Sequence, residues 1–160
     1  RFVFTPQTAL KDGNHTITIT ASDNDGNAAS TVTSTFTIDT VPPTLTISSP
    51  TAGLITNKAA LNVTGKTNDA TSSPITLTMT LNGTSLGTVT VGSDGSFTKA
   101  VTLAEGTNSI VVTAKDGAGQ TTSITLSVKL DTTVPVLKGI TLTPNPVSTS
   151  ASVAITVEVS

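Results

Sequence analysis

The sequence predicts an all-β protein built of antiparallel β-sandwiches in tandem. Three observations carry this. Apolar residues alternate with Thr in runs such as Ile75, Leu77, Met79 and Leu81, and a period of two belongs to a strand with one buried face. Turn signals rich in Gly, Asn, Asp and Pro recur about every eight to twelve residues. Finally, the chain repeats itself. Phe4-Thr5 matches Phe97-Thr98 at an offset of 93 (97 − 4), and Ile17, Ile19 and Ala21 match Ile110, Val112 and Ala114 at the same offset. Asp39-Thr40 then matches Asp131-Thr132 at 92 (131 − 39), as Pro43 matches Pro135. That period suits one immunoglobulin-type sandwich of about 100 residues. No stretch carries a helical period of useful length.

The repeat divides the chain. Residues 1–39 read as the C-terminal part of one domain, 40–43 as a proline linker and 44–130 as a complete domain. Residues 131–135 form a second proline linker, and 136–160 open a third domain. Proline fixes φ, so both joints are expected to be short and semi-rigid, with the domains in an elongated row. In the complete domain, seven strands are predicted at 44–49, 59–65, 75–81, 86–91, 97–103, 108–114 and 121–130. Asn82-Gly83 marks a hairpin, because a type I′ turn needs positive φ at both central residues. The inward set is Leu45, Ile47, Leu61, Val63, Ile75, Leu77, Met79, Phe97, Leu103, Ile110, Val112, Leu126 and Val128. The flanking segments are expected to supply about three strands before the first joint and about two, at 137–142 and 152–159, after the second. Each would expose an apolar face. The natural polypeptide is therefore expected to continue at both ends, or neighbouring copies to donate the missing strands.

Composition narrows function. Charged residues are 11% of the chain and net charge is −2. The eight Lys and Arg are scattered, and Trp and Tyr are absent. Duplex binding needs a clustered cationic face and single-strand binding needs aromatic platforms, so nucleic acid is not an expected partner. No apolar run approaches the roughly 20 residues of a membrane-spanning helix. Cysteine is absent, which fits either a reducing compartment or an exported bacterial β-domain.

The motifs then point to a family. Pro43-Thr44-Leu45-Thr46-Ile47, Asn62-Val63-Thr64-Gly65, Leu81-Asn82-Gly83, Asp94-Gly95-Ser96-Phe97 and Leu103-Ala104-Glu105-Gly106-Thr107-Asn108 resemble bacterial Ig-like repeats. They are similar above all to the Ig-like domain B of glucodextranase and its relatives in surface proteins. Phe4-Thr5-Pro6 through Asp25-Gly26-Asn27 resembles the same superfamily. The resemblance implies tandem immunoglobulin-like (fibronectin III-like) sandwiches, an extracellular or cell-surface bacterial setting and no catalytic residues.

Candidate chemistry is sparse. Asp23, Asp25 and Asn27, in the turn Asp23-Asn24-Asp25-Gly26-Asn27, are the candidate calcium ligands, since Ca²⁺ takes several hard oxygens. The plainer reading is an ordinary turn, because the repeat places Asp116-Gly117-Ala118-Gly119-Gln120 there without the second acid. No other cofactor is indicated. Asp39 and Asp131 recur at the joints. They read either as an interdomain ion site or, more simply, as Asx turns before the prolines. His15, the single histidine, stands in a turn and reads as a surface residue without a nucleophile to activate. The acids form no obvious catalytic pair. Lys58, Lys66, Lys99 and Lys129 lack the aromatic surroundings of an isopeptide cross-link, and the sequons at Asn14, Asn62 and Asn82 are those expected by chance in a Thr-rich chain.

The function expected is a non-catalytic structural or spacer segment: a stalk, a surface-layer or filament component, or an adhesin shaft. Its partners would be neighbouring Ig-like domains of the same chain, and other copies in an assembly. The alternative is an accessory spacer or carbohydrate-associated module of a secreted polysaccharide-degrading enzyme.

Overall fold

The computed structural model describes residues 3–69, 73–143, 152 and 154–159. Every regular element among them is a strand. Two sheets face each other between residues 44 and 130. One holds β3 (Thr44–Ser49), β5 (Ala60–Asn68) and β8 (Ser96–Thr102), in the order β3-β5-β8. The other holds β4 (Ile55–Thr56), β6 (Thr76–Leu81), β7 (Thr84–Val89), β9 (Gly106–Lys115) and β10 (Thr121–Leu130), in the order β4-β10-β9-β6-β7. This is the immunoglobulin-like, fibronectin III-like sandwich.

The alternation of apolar residues and Thr fills the space between the sheets. Leu77 and Met79 of β6, Ile110 and Val112 of β9, and Leu126 and Val128 of β10 are buried against Leu45, Val63, Phe97 and Leu103 from the facing side. Ile47, Leu61 and Ile75, also expected inside, are half-buried at the margin of this core. Val89, Val101, Ala114 and Leu130 complete it. Each fully buried aliphatic side chain contributes roughly 1.5–3 kcal/mol through removal of apolar surface from water. Gly65 stands directly across from Phe97 in the ladder. A Cβ at Gly65 would meet the Phe97 ring at 2.7 Å and collide with the Thr46 carbonyl. Glycine there leaves room for the Phe97 ring and the Thr46 carbonyl. The Asn82-Gly83 hairpin has φ of 52° and 81°, as a type I′ turn requires.

The strands depart from expectation mainly at their ends. β5 runs three residues further, to Asn68, because Lys66 pairs with both Thr46 and Ser96, and Asn68 with Thr44. β7 starts at Thr84, immediately after the two-residue turn. β4 was not expected. It pairs parallel to β10 through Ile55 and Thr56 alone, too short a stretch for any alternation to show.

Outside the sandwich lie two hairpin-like pairs. β1 (Gly13–Ile19) pairs antiparallel with β2 (Val32–Ile38), followed inward by the Ser22–Ala28 bridge. These are two strands where about three were expected. Phe4-Thr5, the repeat counterpart of Phe97-Thr98 in β8, forms no strand. β8 pairs with β5, and no described strand precedes β1 to play that part. β11 (Leu137–Thr143) pairs with β12 (Ala154–Val159). Both pairs carry exposed apolar residues, Ile17, Ile19 and Val32 on one, and Ile140, Leu142, Ile155 and Val157 on the other.

Candidate metal centre at the first joint

The joint begins where β2 ends. Asp39 Oδ1 accepts a hydrogen bond from the Val41 amide at 3.1 Å, the Asx turn that the sequence suggests. Thr40 donates from its amide (3.1 Å) and its hydroxyl (3.0 Å) to Asp12 Oδ1, so the loop before β1 holds the joint from its other side. Pro43 is fully buried, and its carbonyl accepts from the Thr122 hydroxyl of β10 at 2.6 Å. The joint is thus tied to both flanking bodies.

Asp39 is not alone there. β5 ends at Asn68 and Asp69 follows it; β9 ends at Lys115 and Asp116 follows it. The carboxylates of Asp39, Asp69 and Asp116 each bring an oxygen within 4.8 Å of the others. Among the described residues this is the one group of three such side chains. Asp116 is only 5% exposed. Its Oδ1 caps the β9–β10 turn, accepting from the amides of Gly119 (2.7 Å) and Gln120 (2.8 Å). That leaves its Oδ2, buried and without a hydrogen-bond partner, for the cluster. Asp39 is arranged alike: Oδ1 serves the turn, and Oδ2 is buried without a hydrogen-bond partner. Buried polar atoms are nearly always satisfied, so such oxygens call for an explanation such as an ion or water. The donor set is all carboxylate, which suits a hard cation rather than a transition metal.

The turn that offered candidate calcium ligands in the sequence is built differently. Asp23 Oδ1 accepts from the amides of Asp25 (3.0 Å) and Asn27 (2.8 Å), and Oδ2 accepts from the Asn27 side-chain amide (2.8 Å). These bonds, that from the Asn27 side chain first, hold the Asp23 carboxyl below the ordinary carboxylate range. Asp23 is the repeat counterpart of Asp116 (116 − 23 = 93), and both cap the amide four residues on. They differ in the second oxygen. In Asp23 it is used within its own turn, whereas in Asp116 it is buried without a hydrogen-bond partner.

The other flagged groups serve turns. His15 is half-buried rather than a plain surface residue: its Nε2 donates to the Lys11 carbonyl at 2.7 Å, and its ring stacks on Phe36 with centroids 5.5 Å apart. Its repeat counterpart Asn108 (108 − 15 = 93) is fully buried and does the same, donating to the Ala104 carbonyl at 2.7 Å. Asp94 caps its own turn, and its carboxyl is held down to about 2, first by the Ser96 hydroxyl. The sequence signal for Asp116 was its match to Asp23. Asp69 carried no signal at all, since only the sandwich brings the end of β5 to the joint.

Comparison with known proteins agrees with this architecture. Residues 43–132 match the family model described as glucodextranase, domain B, and residues 1–40 match that described as bacterial Ig-like domain. Bacillopeptidase F of Bacillus subtilis (strain 168) is 30% identical over 131 residues, 82% of this chain. The chain spans 9% of the length of that relative. Among solved structures, the fibronectin(III)-like modules of Clostridium thermocellum CbhA align with a TM-score of 0.48 at 16% identity, over 75% of this chain and 63% of that one. A tetra-tandem repeat from the extending region of a large adhesion protein aligns with a TM-score of 0.48 at 22% identity, over 92% and 45%. With more than half of its residues matched by one family model, the chain belongs to the glucodextranase domain B family of Ig-like modules.

Proposed function

We propose that this segment is a non-catalytic spacer of a bacterial extracellular or cell-surface protein, as in a stalk, a surface-layer or filament component, or an adhesin shaft. The observation that carries the reading is a joint built twice from the same parts. Asp39 and Asp131 each accept from the amide two residues on, at 3.1 and 3.2 Å. Thr40 and Thr132 each donate amide and hydroxyl to an acid from the same preceding repeat position, Asp12 and Glu105. A chain that repeats its connector as well as its domain controls the spacing and angle of successive modules, which is what a shaft requires. The match of residues 1–40 to bacterial Ig-like domains supports the setting.

Antibodies raised against residues 44–130 test this on the source cells. Labelling of intact cells, removed by an added protease, is expected; labelling only after lysis would overturn the reading. The similarity to Bacillopeptidase F favours a second reading, in which the same spacer serves a secreted hydrolase. In that case the antibody-reactive polypeptide would carry hydrolase activity in a gel overlay.

A further inference from the structure

We propose that Asn82 is a deamidation site that the folded sandwich holds shut, and that its conversion unlatches the β6–β7 hairpin from β9. Asn82-Gly83 is the one Asn-Gly pair in the chain. An asparagine side-chain carbonyl is open to attack by the amide nitrogen of the following residue, and glycine, lacking Cβ, hinders that attack least. Here the nucleophile is uncrowded: a Cβ built at Gly83 would meet nothing within 4 Å, and Asn82 and Gly83 are both exposed. The attack expels the side-chain nitrogen as ammonia and closes a succinimide ring between Asn82 Cγ and the Gly83 nitrogen. Water then opens the ring at either carbonyl, giving aspartate or isoaspartate. The net reaction is amide plus water to acid plus ammonia. What restrains it is the grip of β9. The Asn82 amide donates to the Ser109 carbonyl at 2.8 Å, its Oδ1 accepts from the Ser109 amide at 2.8 Å, and its Nδ2 donates to Asn108 Oδ1 at 3.0 Å. Both ends of the side-chain amide are bound to the neighbouring strand. Ring closure requires the side chain to swing onto its own backbone, so these bonds must open first. The rate then follows the population of the opened hairpin.

The product cannot re-form the latch. Either acid replaces the Nδ2 donor with an oxygen, which meets Asn108 Oδ1 as acceptor against acceptor. Asn108 is fully buried, and its other bonds, from the Ala104 amide and to the Ala104 and Gly106 carbonyls, hold the turn between β8 and β9. Isoaspartate also adds a carbon to the main chain of a two-residue turn, and so breaks the type I′ geometry that φ of 52° and 81° define. Deamidation is thus a one-way record of hairpin opening. The chemistry does not depend on the spacer reading.

The test incubates the whole 160-residue chain in mildly alkaline buffer beside a synthetic peptide of residues 80–86, and follows the mass gain at Asn82 by fragment spectra. The folded chain should convert at least about tenfold more slowly than the peptide, since its reactive state is an opened minority. Asn108→Ala should speed conversion in the folded chain severalfold, because the partner of Nδ2 is gone. Val63→Ala truncates a fully buried core side chain on β5, outside this network, and should leave the rate near that of the parent. A parent as fast as the peptide would overturn the grip, and so would an Asn108→Ala chain no faster than the parent. Equal acceleration by both variants would overturn it too, making global unfolding the gate. Unlatching is read on the deamidated chain, separated by its added charge on an anion exchanger. Its Ala104 amide should exchange with deuterium at least about tenfold faster than in the unmodified chain, and its urea midpoint should fall. Asn82→Asp, which fixes the aspartate product, should reproduce both shifts. Unchanged exchange and midpoint would refute the unlatching, whatever the rates at Asn82.

Discussion

The two joints share a backbone design and differ in charge. At each, an Asp caps the next turn and a Thr reaches back to an acid of the preceding β-turn. At the second joint, Asp131 Oδ2 also accepts from Lys129 Nζ at 3.2 Å. The repeat position of Lys129 at the first joint is Thr37 (129 − 92 = 37), whose hydroxyl turns away to Asn14. Without a lysine, Asp39 Oδ2 is buried without a hydrogen-bond partner, in a carboxylate that lies beside those of Asp69 and Asp116. The turn is therefore a property of the repeat, while the charge balance around it is set joint by joint. One joint neutralises its aspartate internally. The other gathers three aspartates where the repeat has a threonine in place of the lysine.

The harshest way to break this comparison is to remove the body that both joints hold on to. Met79 is fully buried at the centre of the core. Met79→Asp leaves an unpaired charge there, at a cost of several kcal/mol, and is expected to unfold the sandwich. Circular dichroism should lose its β signal, and the titration of Asp131 should revert to that of an unstructured aspartate. Thr88→Asp, an exposed position on β7, should fold normally. A folded Met79→Asp would mean that the core lies elsewhere.

A milder change sharpens the comparison at the turns that carry Asp12 and Glu105. Asn108 is fully buried and fully satisfied: Oδ1 accepts from Asn82 Nδ2 and the Ala104 amide, and Nδ2 donates to the carbonyls of Ala104 and Gly106. Asn108→Ala strands those groups and should cost about 1–3 kcal/mol in urea unfolding. His15 makes one such bond in a half-buried place. His15→Ala should cost about 1 kcal/mol or less, its single hydrogen bond being worth roughly that. Equal losses would show that the two turns are not held in the same hierarchy.

Much of this was legible in the residues. Alternation located the core strands, because each apolar residue of β6 and β9 must face the same side. The 92–93 residue offset paired Asp39 with Asp131 and Asp23 with Asp116. What could not be read is long-range. β4 is two residues long, so no period exists in it. Asp69 joins the acid cluster only because β5 and β9 lie in facing sheets and end near the joint. The Asp-Asn-Asp-Gly-Asn run drew attention because its acids are neighbours in sequence, yet Asp23 spends its oxygens locally. The cluster that gathers three carboxylates is assembled from positions 30 and 47 residues apart (69 − 39 and 116 − 69).

The smallest effect isolates the charge difference itself. The Asp131 carboxyl titrates below the ordinary value of 3.8, first because of the Lys129 hydrogen bond, then because of the Thr133 amide. A carboxyl whose folded value is lowered adds stability that is present above the unfolded value. That contribution fades as pH falls through the folded value. The pair is solvent-exposed, so its effect on stability should be slight and screened by salt. Its effect on titration is directly measurable. Lys129→Met should move the Asp131 midpoint up toward 3.8 in carboxyl-detected NMR, while the Thr133 bond keeps it from returning fully. Asp94, held at about 2 mainly by Ser96 and remote from this pair in sequence, should not move and serves as the internal reference. Introducing the lysine at the other joint, Thr37→Lys, is the reciprocal change. If charge balance is set joint by joint, it should give Asp39 the partner that Asp131 already has. An unmoved Asp131 midpoint in Lys129→Met would show that the ion pair does not distinguish the two joints.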